Sequence, residues 1–494
     1  MAVTRWGPFL LAAAMAGCGG SDSGGGTGID PVDSQLRGLI ARGQLTGNPV
    51  GARAIPDLDT PLAQLGMRLF FSRSLSGNFD VACASCHHPA LAGADGLSLS
   101  VGVDATDPAR LGPGRATADG APNVPRNSPT TFNVALLDTV LFHDGRIEQL
   151  IAPGIQSAGI RTPDVPFGLA DPDAGPNLAA AQARFPVTVE VEMRGDFLPG
   201  ADNTALRDRL AERIGGYGAG TGELARNDWP ALFEAAFGAG AATDLVTYDN
   251  IAAALSAYQR SQVFVDTSWN AYVAGDDGAI GAAAKRGAVL FLGRADEGGA
   301  GCGVCHRSDR FTDDAPHTVG FPQIGLGKGD SASGDDDLGR ERESGDPNNR
   351  YEFRTASLLN VALTAPYGHA GAYATLTDVV RHYSAPQATA NAYFANGGWC
   401  ALAQFASLPA LQCEALYPNA VAHTNNALQK VQQDRAGGAG IPPIQLDPAQ
   451  VADIVAFLGT LTDPCAADPA CVAPWVPPAD GGPDDRQLEA TFAP

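Results

Sequence analysis

Basic residues are scarce in this 494-residue chain: 32 Lys and Arg face 54 Asp and Glu, a formal charge of −22. That deficit excludes a nucleic-acid role and favours a neutral or basic protein partner. Methionine is rarer still. Met1 and Met15 lie at the N-terminus, Met67 and Met193 in the first half, and the second half has none, so no thioether is available there as a ligand. No apolar run after residue 16 is long enough to cross a membrane as a helix. Alternating strand patterns are equally sparse, with Val187–Val191 the one short candidate, so a mainly α chain is expected. There are only eight histidines, and no further Cys or His pairs lie near either C-x-x-C, which excludes structural zinc sites.

Against these absences stand two copies of one pentapeptide pattern, Cys83-Ala-Ser-Cys86-His87 and Cys302-Gly-Val-Cys305-His306. C-x-x-C-H is the attachment sequence of c-type haem: two thiols add to the porphyrin vinyls and the adjacent histidine becomes an axial iron ligand. Two covalent haems are therefore expected. Arg5, the apolar run from Phe9 to Ala16 and then Gly17-Cys18 give a secretory signal peptide over 1–17 with a lipobox-like end. The mature chain then begins at a lipidated Cys18 on a flexible tether over 18–55, in the bacterial periplasm. Simple cleavage near Ala16 with a free Cys18 is the alternative. Four cysteines remain, and in an exported chain they read as disulfides, most simply Cys400–Cys413 and Cys465–Cys471, with the two other pairings open.

The length suits two domains with one haem motif each. Apolar residues at helical spacing predict helices at 61–71, 248–265, 279–293, 376–383 and 450–461. Loop-like Gly, Pro and Asp segments fill 91–129 and 162–176, and an acidic Gly-rich loop fills 325–349. Gly275-Asp276-Asp277-Gly278 reads as the boundary between an N-terminal haem domain over 56–276 and a C-terminal one over 279–465, followed by an irregular tail over 466–494. Both halves run helix, C-x-x-C-H, long loop, helix, the pattern of a duplication.

Further segments carry a resemblance: Leu65-Gly66-Met67-Arg68-Leu69-Phe70, Arg126-Asn127-Ser128-Pro129-Thr130, Phe142-His143-Asp144-Gly145-Arg146, and Ala181-Gln182 with Glu192-Met193. The second half adds Phe353-Arg354-Thr355-Ala356-Ser357-Leu358-Leu359-Asn360 and Thr364-Ala365-Pro366-Tyr367-Gly368-His369. With the haem motifs, this ordered set resembles the bacterial di-haem cytochrome c peroxidase and MauG family from about residue 60 to about 462. The resemblance implies two cytochrome c-like domains joined at an interface, with a peroxidatic N-terminal haem and an electron-transferring C-terminal haem. Glu192 matches the family's distal glutamate, a carboxylate that can move a proton between peroxide oxygens, and Gln182 its distal glutamine. Asn127, Thr364 and Pro366 match an interdomain Ca²⁺ site.

Departures from the family pattern refine this. Tyr383, fourteen residues after His369, stands where the peroxidase branch has a methionine ligand to the second iron and MauG-type proteins have tyrosine. A structural Tyr383, with water or His382 on the iron, is the alternative. Val103, sixteen residues beyond His87, stands where resting-state peroxidases carry a distal histidine, so the first iron should be open to peroxide without prior reduction. His143 replaces the usual interhaem Trp; it either bridges propionates or is a satisfied interdomain histidine. His88 is expected at a propionate or on the surface, and His369 in contact with haem. The resemblance thus implies a di-haem peroxidase-like oxidoreductase that takes H2O2 at the haem of His87 and electrons through the haem of His306, from a small cytochrome c or cupredoxin. The alternative is a MauG-like enzyme oxidising a side chain such as Trp in a partner protein. Tyr383 favours it, as does Phe185-Pro186-Val187-Thr188, which resembles the methanobactin-associated di-haem proteins. A non-enzymatic electron carrier is a third reading, against which Val103 argues. A monomer or homodimer fits all three.

Overall fold

The structure is a computed structural model that describes residues 30–151 and 158–492; the expected signal peptide and Cys18 lie outside the described residues. It is mainly helical. The seven described strands are two or three residues long and form three small sheets. Val187–Val191 is not a strand. Pro186 presets a helical φ and opens a 3-10 turn over Pro186–Thr188, and a π-helical turn over Glu190–Arg194 follows.

Each half is built on one close helix pair. In the first, α2 (Pro61–Phe71) starts at Pro61, with the Thr60 hydroxyl accepting from the Ala63 N–H, and packs across α5 (Tyr248–Ser261). Gly66 makes the crossing possible, since a Cβ there would sit 1.9 Å from the Ala254 carbonyl oxygen. In the second half, α6 (Ala282–Leu292) crosses α9 (Pro448–Gly459), and a Cβ on Gly287 would lie 1.9 Å from the Asp453 carbonyl oxygen. Each glycine opens a Gly-x-x-Leu-Phe run, Gly66-Met67-Arg68-Leu69-Phe70 and Gly287-Ala288-Val289-Leu290-Phe291. Asn-Val-Ala-Leu is also repeated, at 133–136 and 360–363. Both asparagines are left-handed, at φ 62, and both side chains donate to the Phe264 carbonyl at the joint between the halves. The shared plan is therefore visible in backbone detail.

Three expected boundaries shift. Residues 18–55 are not all tether: Asp30 caps α1 (Pro31–Gly43), whose Leu36 and Ile40 bury against the second core. Lys285 on α6 pairs with Asp33 at 2.7 Å. The first domain ends before 276, because Trp269 and Tyr272 are fully buried in the second core, Trp269 edge-on to Phe457. The tail returns to the first half. The Leu488 N–H donates to the Phe71 carbonyl, Asp484 accepts from Trp229 and Ser74 at 2.7 and 2.6 Å, and Thr491–Phe492 pairs with Arg110–Leu111.

Among the other described helices are α3 (Leu178–Gln182), which ends in Gln182, α4 (Asn203–Gly215), α7 (Leu376–Ser384), which carries His382 and Tyr383, and α8 (Ala420–Ala436). Disulfides join Cys400 to Cys413 and Cys465 to Cys471.

Candidate active site

One large cavity in the first half, with about 1350 Å³ of empty space, is lined by Cys83, Cys86, His87, Gln182, Glu192, His143, Arg126, Arg146, Lys328 and Arg354 within an apolar wall. Phe70, Val81, Leu141, Phe142, Met193 and Leu255 belong to that wall. A flat macrocycle with carboxylate arms fits such a lining: apolar faces, two thiols on one side, and cations for the acid groups.

His87 is aimed by its neighbours. The Ser128 hydroxyl donates to the Cys86 carbonyl at 2.7 Å, so its oxygen is left to accept from His87 Nδ1–H at 3.0 Å. The Gly93 carbonyl also faces Nδ1, at 3.3 Å. This fixes the tautomer and keeps Nε2 for a ligand bond. His306 repeats the device: its Nδ1–H donates to the Phe311 carbonyl at 2.9 Å.

Glu192 rides on the π-helical turn Glu190–Arg194, a local distortion often found at functional sites. Two glycines press on it. A Cβ on Gly102 would lie 2.0 Å from the Val191 carbonyl oxygen and 2.7 Å from that of Glu192, and one on Gly77 would lie 1.9 Å from the Arg194 oxygen. The buried Arg115 clamps the far side of the first loop, donating to the Val101 and Gly102 carbonyls at 2.7 and 2.9 Å. Gln182 enters the cavity from the last turn of α3, whose start is capped by Asn177. Val103 is buried in the first core and is not part of the cavity wall.

His143 is held neutral. Burial, with Arg126 nearby, pushes it down to about 3, and its Nε2–H donates to the Asn127 carbonyl at 3.0 Å. Of the two resemblance-based readings of His143, this geometry favours a satisfied histidine at the joint. Asn127 is tied to the Leu97 carbonyl through its amide N–H and to the His369 carbonyl through its backbone N–H. His88 is neither on the surface nor at a charge. It is buried between Phe71 and Phe492, edge-on at 5.4 and 5.2 Å, a setting the returning tail creates.

At the second motif, Tyr383 packs in the same core as Cys302 and Tyr367, and its hydroxyl makes no hydrogen bond to any described residue. Burial raises that phenol, and the thiols of Cys302 and Cys305 beside it raise it further. His382 is not available to an iron: Nδ1 accepts from the Tyr373 hydroxyl at 2.8 Å and Nε2–H donates to the Val319 carbonyl at 2.8 Å. His369 is likewise engaged, stacked on Phe353 at 3.9 Å with Nε2 facing Gln323. Among the described residues the one cluster with metal-ligand spacing is Cys305, Asp313 and His317, and its thiol belongs to the haem motif.

Ser128, Lys328 and the clamping glycines were not singled out from the sequence for these roles. Ser128 lay inside a motif already noted; Lys328 lay in an acidic loop with no local signal.

A family profile described as di-haem cytochrome c peroxidase matches residues 60–278. The methylamine utilization protein MauG of Methylorubrum extorquens is 31% identical over 76% of this chain and 85% of its own. The cytochrome c551 peroxidase of Pseudomonas aeruginosa is 30% identical over 64% of this chain and 70% of its own. Among solved structures, a MauG-like protein associated with microbial copper homeostasis overlays with a TM-score of 0.52 at 23% identity, over 85% of this chain and 97% of that one.

Proposed function

The chain belongs to the di-haem cytochrome c peroxidase and MauG family, and on that premise we propose that it takes H2O2 at the haem held by Cys83, Cys86 and His87 and passes electrons through the haem held by Cys302, Cys305 and His306. The family is one of peroxidase-like di-haem oxidoreductases, which implies two c-type haems. The observation that supports this division of labour is the single cavity that gathers the first haem motif with Glu192 and Gln182.

The attached haem supplies a redox-active iron. The chain's residues do the rest. His87 presents Nε2 because Ser128 and Gly93 hold Nδ1–H. Glu192 is the acid–base group: a carboxylate that takes a proton from one peroxide oxygen and returns it to the other as the O–O bond breaks. Gln182 orients the peroxide by hydrogen bonding, and the apolar wall keeps bulk water out. The overall balance is H2O2 plus two electrons and two protons to two waters. The other histidine in the wall, His143, is engaged with the Asn127 carbonyl, so His87 is the imidazole that would hold the iron of a haem bound here.

Tyr383 supports a second reading, oxidation of a side chain in a partner protein. With His382 and His369 engaged, the Tyr383 phenol is an oxygen donor packed beside the second motif, and a phenolate stabilises oxidised iron. A periplasmic site is supported by the two disulfides; lipid tethering through Cys18 rests on the lipobox-like end of the signal peptide, and Ca²⁺ at Asn127, Thr364 and Pro366 on the resemblance to the family.

Adding cyanide or H2O2 to the ferric holoprotein without reductant tests the first reading. One high-spin haem by EPR and an immediate spectral change are expected. Two low-spin haems that react only after one-electron reduction would overturn it.

A further inference from the structure

The cavity's cations are unevenly satisfied. Arg126 donates to Asp144 and Asp337, Arg146 to Asp144, and Arg354 to the carbonyls of Phe142 and Thr355. Lys328 lines the same cavity, yet its ammonium makes no hydrogen bond or ion pair to any described residue. The chain's two other lysines are paired, Lys285 with Asp33 and Lys430 with Asp434. Holding an ammonium half-buried without a counter-ion costs free energy, and a stem this long ordinarily delivers its charge to water.

Its backbone is pinned. The Lys328 N–H donates to the Asp336 carbonyl at 2.8 Å, and Arg342 binds both the Lys328 carbonyl and the Asp330 carboxylate. Gly327, at φ +63, leaves no room for a Cβ, which would sit 2.3 Å from the Asp335 backbone. Burial, with Arg146 and Arg126 close by, pushes the ammonium down to about 8, against the weaker opposing pull of the Glu192 and Asp144 carboxylates, neither of which is within ion-pair distance. The second half thus delivers a rigidly mounted, unsatisfied cation into the first half's cavity.

We propose that Lys328 is the counter-cation for a propionate of the haem attached through Cys83 and Cys86, resting on the reading that this cavity carries that haem, and that it thereby ties the 325–349 loop to the first half. Lys328 is a positioning residue: its positive charge beside the macrocycle favours the reduced iron, and its pairing orders the loop.

Redox titration of the first haem in wild-type, Lys328→Gln and Lys328→Arg holoproteins tests this. The glutamine variant should shift the ferric/ferrous equilibrium about tenfold toward ferric, 59 mV for one electron. The arginine variant should stay near wild type, and limited proteolysis of the loop should quicken in the glutamine variant alone. A fully haem-loaded glutamine variant with unchanged potential would overturn the assignment. If that variant does not accumulate, acetic anhydride labelling of the wild-type holoprotein decides: modification of Lys328 no faster than that of the ion-paired Lys285 and Lys430 supports the pairing, and markedly faster modification of Lys328 overturns it. Absence of haem on the first motif, read by haem staining of the separated peptides, would overturn both this and the peroxidase reading, and so separates the two failures.

Discussion

Glu192 and Gln182 lie ten residues apart with a proline-led turn between them, and their side chains share a cavity because that turn reverses the chain beside the first haem motif. If Glu192 moves the proton in O–O cleavage, Glu192→Gln should keep both haems and still bind cyanide, yet react with H2O2 about 10²–10⁴-fold more slowly. Stopped-flow absorbance checks this, and a rate within a few-fold of wild type would remove Glu192 from the reaction. At the second motif, Tyr383→Phe should change the visible and EPR spectra of that haem and leave the first unaltered; an unchanged second haem takes the phenol off the iron. Single residues were legible where their chemistry is local, as in C-x-x-C-H. They were illegible where a distant segment sets the environment. His88 gave no sign that Phe492 would enclose it, nor Lys328 that it would face Glu192's cavity.

Among the elements, helices with a strong cap and a clean apolar stripe were readable. Residues 61–71 form a helix as expected, and α7 extends the predicted 376–383 by one residue, with Thr375 accepting from the Asp378 N–H at its start. By contrast, α8 was missed because its buried face includes His423 and Thr424 while Val421 is exposed, which blurs the 3.6-residue pattern. The stretch at 187–191 was misread because alternating valines mimic a strand, and the π-turn depends on close approach by loops from elsewhere. Those loops provide the test. Gly102→Ala places a methyl group against the Val191 and Glu192 backbone at 2.0–2.7 Å, so the turn must move. The variant should attach both haems normally yet lose on the order of 10²-fold in its reaction with peroxide, as a misplaced acid–base group does. Normal kinetics with full haem content would show that the turn tolerates the shift and that Glu192 is not positioned by it.

The whole molecule is two similarly built halves held by charges far apart in sequence, which is why composition showed the acidic excess but not its use. Arg126 of the first half is buried between Asp144 of its own half and Asp337 of the second, at 2.5 and 2.6 Å. Glu148 of the first half accepts from Arg340 of the second at 2.5 Å. Burial alone would raise the Asp144 and Asp337 carboxyls, but the Arg126 guanidinium between them, with Arg146 beside Asp144, holds both well below the usual carboxylate range. Because the folded-state values are depressed, the stability these groups contribute is fully present above the ordinary carboxylate value of about 4 and is lost as pH falls below it. Removing one partner of such a buried pair costs about 3–5 kcal/mol, whereas the solvent-exposed Arg294–Asp296 pair is screened by water and contributes little. Asp337→Asn should therefore lower the melting temperature of the holoprotein near neutrality, and its stability should fall less steeply than the wild type's once the medium is more acidic than the carboxylate range. Asp296→Asn should change neither. Thermal unfolding followed at each haem's absorbance across that pH window provides the comparison. A loss of equal size at every pH would mean that Asp337 acts through packing alone, and no loss near neutrality would mean that the Arg126 bridge does not hold the halves together.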